Sequence, residues 1–144
     1  MTPKKRDRSW PPADAVEPLA APVTDNHTHL PVPADTGGPG SEAPLTAAEL
    51  VGRAAAAGVT RVVTSACEVT TWADSLALAR ELPGVRVALA VHPNEAVLHA
   101  GVRETGPDGL EPRAQEHHAE PLEEVMVRLE ETLRANADVV VAVG

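Results

Sequence analysis

VTRVVTSACEVTTWADSLALARELPGVRVALAVHP, residues 59–93, decides the fold. It opens with Val59, Val62 and Val63, β-branched residues that suit a pleated, half-buried surface. The period then changes. Trp72, Leu76, Ala79 and Leu82 recur near helical spacing, which predicts a helix over 70–82. Pro83 and Gly84 turn the chain into a second apolar run, residues 86–93, with no polar alternation beyond Arg86. A strand apolar on both faces belongs in a sheet covered by other layers. Strand, helix and strand in this order form a βα unit with parallel strands and a right-handed crossover.

The same unit repeats outward in both directions. Toward the N-terminus, residues 22–30 read as a first strand that runs out into polar residues, and 31–44 as a Gly- and Pro-rich loop. A helix follows over 45–58, with Thr46 and Glu49 at capping-box spacing and Gly58 as its stop. Thr71 and Asp74 offer a second cap pair at the start of the next helix. Toward the C-terminus, residues 99–120 are long and polar, a loop of functional or mobile kind. Residues 121–136 form an amphipathic helix, with Val125, Leu129 and Thr132 or Leu133 on one stripe and acids in the first turn. Residues 137–144 are a fourth strand. The expected order is β-α-β-α-β-α-β. Residues 1–20 read as a disordered tail rich in proline and charge, and 21–144 as the structured domain.

Composition narrows the chemistry. The 144 residues are 43% hydrophobic, enough for a packed core. With no Phe, Tyr or Ile, the core must be Val, Leu and Ala around Trp72. The net charge of −9 gives no generic attraction to nucleic acid or anionic membrane. A phosphate-ester substrate would need a local site, and a bound cation would supply one. The single cysteine, Cys67, excludes an internal disulfide partner and suits a cytoplasmic setting. Neither a signal peptide nor a membrane span is apparent.

The chemically distinctive stretch is VTDNHTHL, residues 23–30. Strand side chains alternate faces, so Asp25, His27 and His29 project together if the segment stays extended. Two imidazoles on one side can bind one divalent cation. Their place is the carboxyl end of the first strand, where barrels and open α/β sheets both carry their ligand-binding groups. A solvent-facing pair in a turn that binds nothing is the plainer alternative.

DNHTHL, then VALAVHPNEA, then ADVVVAVG, in this order, resemble the start of a TatD-type metal-dependent deoxyribonuclease. The likeness covers residues 22–144 except the loop at 99–120. It implies the first four strands of a (β/α)8 TIM barrel of the metal-dependent hydrolase type, and hydrolysis of phosphodiester bonds, with DNA ends as the favoured substrate. It implies that His27 and His29 ligate a divalent metal (Mg, Mn or Zn) and that His92 lines the pocket near substrate phosphate. The family usually reads Gly-Ile-His-Pro-His where this chain has VHPNE, so Asn94 stands in place of a histidine. The family glutamate would follow Gly144, and the later His, His and Asp ligands lie beyond it. The chain therefore reads as an N-terminal half, a fragment expected to be inactive alone and prone to self-association through unpaired strand edges.

Other residues carry weaker readings. Glu68 ends the second strand at the same face and is a candidate for touching substrate, against the plainer reading of a solvated carboxylate. Cys67 reads as a small apolar filler. His99, His117 and His118 have no partner at ligand spacing and read as solvated. Two rivals to the nuclease remain. One is a PHP-type phosphoesterase, which shares the Asp-x-His-x-His strand; the His-Pro end of strand three argues against it. The other is a non-catalytic α/β module that binds a metal weakly or supports a partner.

Overall fold

The computed structural model describes residues 16–33, 45–107, 109 and 111–144. Most of the expected tail (1–15) and of the loop at 31–44 lies outside the described residues. Four strands are present: β1 (Val23–Thr28), β2 (Val59–Ala66), β3 (Val85–Leu89) and β4 (Val140–Val143). They form one parallel sheet in the order β1-β2-β3-β4. Helices α1 (Ala47–Ala56), α2 (Trp72–Glu81), α3 (Pro93–His99) and α4 (Leu122–Ala135) fill the connections. Parallel neighbours in sequential order each need a crossover connection, which these helices supply. This is the parallel βα arrangement that the alternation of periods predicts, and it is consistent with the partial (β/α) barrel that the resemblance implies.

The core follows from the apolar periods. Val85, Val87 and Leu89 of β3 are fully buried, and Val62 and Ala66 of β2 nearly so. Trp72, Leu76 and Ala79 of α2 and Val125 and Leu129 of α4 pack on them. Burying each large apolar side chain stabilises by about 1.5–3 kcal/mol. Trp72 also donates its Nε1–H to the Ala90 carbonyl at 3.0 Å, which fastens α2 to the segment leaving β3. The Arg128 guanidinium lies 5.6 Å from the Trp72 ring centroid.

The first helix starts and stops as its sequence requires. Thr46 Oγ1 accepts from the Glu49 N–H, and Glu49 accepts from the Thr46 N–H, a reciprocal capping box. Gly58 then takes a positive φ of 96°. A Cβ there would stand 3.1 Å from Leu19 Cβ, so glycine meets both a conformational and a steric demand. Leu19 donates its N–H to the Ala57 carbonyl at 2.9 Å, so the end of the expected tail is fastened to the C-terminal cap of α1.

Two local expectations are corrected. Thr71 does not cap α2 through Asp74. Its hydroxyl donates instead to the Glu68 carbonyl at 2.8 Å and closes a 3-10 turn, Val69–Thr71, ahead of the helix. The third strand ends at Leu89, short of His92. His92 is the N-cap of α3, its Nδ1 accepting from the Asn94 N–H at 3.1 Å. Pro93 follows at a first-turn position, where a fixed φ and a missing N–H do no harm.

Candidate metal and substrate cleft

His27 and His29 lie at the carboxyl end of β1. Their rings are edge-to-face with centroids 5.2 Å apart. Ser65 on neighbouring β2 meets both. Its carbonyl lies 3.1 Å from His29 Nδ1, and its hydroxyl 3.5 Å from His27 Nδ1. A carbonyl can only accept, so His29 Nδ1 carries the proton and Nε2 keeps its lone pair. An imidazole that donates one N–H to a backbone carbonyl is oriented for ligation through the other nitrogen. The donor set therefore fits a divalent cation, with Ser65 as its outer support.

Asp25 does not join that set as full extension would require. The pairing of β1 with β2 slips between Asp25 and Thr28, and an irregularity of this kind re-aims the side chains on either side of it. Asp25 Oδ1 accepts from the His27 N–H at 3.1 Å. Its side chain borders a second groove with Leu50, Val51 and Arg53 of α1, which His29 also borders.

His29 is one wall of a cleft of about 440 Å³. The other walls include Ser65, Cys67 and Glu68 after β2, and His92, Asn94 and Glu95 around the start of α3. Thus His29, Glu68 and His92 share one cavity, while His27 adjoins it through its contact with His29. Because His92 Nδ1 accepts a backbone hydrogen bond, the neutral ring carries its proton on Nε2, as a donor. Burial and then the neighbouring Glu68 charge raise the Cys67 thiol above its usual range, so it stays a thiol at neutral pH, as an inert filler would.

Sequence reasoning missed Glu95. It lines the cleft, and Oε2 accepts from His118 Nε2 at 2.8 Å, with His117 Nε2 3.3 Å away. Burial pushes its carboxyl up, but the hydrogen bonds from His118 and His117 outweigh this and hold it below the usual range. The expectation that His99, His117 and His118 are solvated is overturned. His99 and His118 are buried, at 5% and 4% exposure, and His117 is half-buried. The signal was the i, i+4 spacing of Glu95 and His99, which is informative only once α3 is known to be helical.

No helix among the described residues is long and apolar enough to cross a membrane. No curated protein and no solved structure matches the chain. The family described as TatD related DNase matches residues 24–144, a span that runs from β1 and its two histidines through the His92 cap to β4. The chain belongs to the TatD related DNase family.

Proposed function

We propose that this chain carries the first-strand metal ligands and the phosphate-facing wall of a metal-dependent phosphodiester hydrolase that acts on DNA ends. One observation carries the reading. The His27 and His29 rings, 5.2 Å apart and braced by Ser65, stand beside a cleft that also holds Glu68 and His92. A divalent cation, when bound, neutralises phosphoryl oxygens and lowers the pKa of a water.

The chain's own residues do the rest. His27 and His29 hold the cation through imidazole nitrogens. His92 offers a neutral N–H donor to a phosphate oxygen, with its proton held on Nε2 by the Asn94 N–H at the other nitrogen. Glu68 borders the substrate. With a net charge of −9, the protein has no long-range pull on a polyanion, so binding depends on the cation and on His92. Mg, Mn and Zn all suit the role; imidazole accepts each, and phosphate chemistry favours Mg.

Two measurements separate the parts of this reading. Titration of Mn2+ into the chain, followed by electron paramagnetic resonance, should show binding that is lost in His27→Ala and in His29→Ala. Release of nucleotides from DNA ends, assayed with Mg2+ or Mn2+ after the chain is combined with a C-terminal half that supplies the remaining family ligands, should be abolished by His27→Ala. Cleavage unchanged by that substitution would remove the metal role assigned to the pair.

A further inference from the structure

We propose that Glu95, His99 and His117 form a zinc site separate from the histidine pair of β1, with His118 as the residue that orients the carboxylate. The four side chains come from α3 (Pro93–His99) and from the 3-10 turn Glu116–Ala119. One ligand atom from each lies within 4.8 Å of every other. The rings are packed together, with centroids 4.9 Å apart for His99 and His118 and 3.9 Å for His117 and His118.

The hydrogen bonds assign the roles. His99 Nδ1 lies 2.8 Å from the Glu120 carbonyl, so that nitrogen carries the proton and donates. His99 Nε2 is then a bare lone pair. It is buried and has no hydrogen-bond partner among the described residues, an unfavourable state for a ring nitrogen in a residue only 5% exposed. An imidazole anchored by a backbone carbonyl at one nitrogen and free at the other is the usual state of a zinc-ligating histidine. His118 is the reverse case. Its Nδ1 accepts from the Gln115 N–H at 2.8 Å, so its proton sits on Nε2 and goes to Glu95 Oε2. It cannot ligate in that state, and it holds the carboxylate in place. His117 Nε2 lies 3.3 Å from the same oxygen, but no bond at its Nδ1 among the described residues fixes the tautomer as Gln115 does for His118, so its proton can move to Nδ1 and leave Nε2 for an ion.

Two imidazoles and one carboxylate are a zinc donor set that leaves a fourth position for water. Tetrahedral ligands about 2.0–2.1 Å from zinc stand about 3.4 Å apart, so small side-chain rotations close the present cluster. A set with two nitrogens disfavours Ca2+ and Mg2+, which take oxygen. Glu95 and His117 have side chains 16% and 17% exposed, which leaves a path for entry. Such an ion would clasp the helix behind the cleft to the turn before α4, across the long polar loop.

The test uses the full chain carrying His27→Ala and His29→Ala, so that the β1 pair contributes nothing. Calorimetric titration with Zn2+ should show about one equivalent bound, and Co2+ should give the visible absorption of a tetrahedral site. Adding His117→Ala or Glu95→Gln, at half-buried positions that tolerate change, should weaken Zn2+ binding by about 10- to 100-fold or more, with the far-UV circular dichroism unchanged. Absence of Zn2+ binding in the double variant, or affinity indifferent to both further substitutions, would overturn the proposal. Neither result bears on Mn2+ binding by the unsubstituted pair.

Discussion

Replacing Thr64 by valine should loosen the tip of β1 without touching a ligand. Thr64 is 2% exposed in the middle of β2, paired with Thr28 on one side and Val87 on the other. Its Oγ1 accepts from the buried Leu30 N–H at 3.0 Å, one residue beyond His29. Valine keeps the shape and removes the acceptor. An unsatisfied buried N–H costs about 1–3 kcal/mol. The methyl that replaces the hydroxyl offsets up to about 0.8 kcal/mol, so the net loss should be about 1–2 kcal/mol. Thr64→Ser is the control. It keeps the acceptor, loses one buried methyl, and should cost about 0.5–1.5 kcal/mol. Urea unfolding followed by far-UV circular dichroism reads both, and the valine variant should shift the midpoint by about 0.5–1 M. Only the valine variant should also weaken Mn2+ binding and speed amide exchange at Leu30. A valine variant as stable as the parent, or serine weakening Mn2+ more than valine, would refute this account of how β2 supports the histidine pair.

Two more outcomes are expected. The backbone N–H and then the hydroxyl of Thr46 hold the Glu49 carboxyl below its ordinary 4.5, with burial opposing and Arg53 assisting. Because the folded value is depressed, the contribution of Glu49 to α1 is complete above the unfolded value and is lost as pH falls through the folded one. An NMR titration should place Glu49 below 4.5, and Thr46→Ala should return it toward that value. The second concerns β4, an edge strand of the described sheet with Val141 and Val143 at 56% and 67% exposure. The 144-residue chain should self-associate as concentration rises, and Val143→Lys should reduce this by charging the edge. Light scattering that shows a monomer at every concentration would count against it.

The sheet was legible because its signals are local and repeated. Val62, Val87 and Leu89 announce covered strands, and the stripe of Val125 and Leu129 survives as the buried face of α4. The Thr46–Glu49 cap and the Gly58 stop were also readable, since each depends on residues within one turn. Local signals failed where a competing bond won. Thr71 matched a cap pattern, but its hydroxyl found the Glu68 carbonyl instead. Asp25 shared a two-residue period with His27 until the register slip broke it. The Glu95 cluster was invisible because His99 and His118 are separated by a polar loop, and only the docking of α3 on the turn before α4 buries them. Exposure read from composition fails when polar side chains satisfy one another.

The indole of Trp72 gives the molecule its own optical reporter. It lies at 3% exposure, with its N–H committed to the Ala90 carbonyl, two residues ahead of His92. Trp10 is the only other tryptophan in the chain, so replacing it by Phe leaves a single fluorophore on the backbone that carries the cleft wall. Emission from that ring registers any ligand whose arrival displaces the backbone leaving β3, with no label attached.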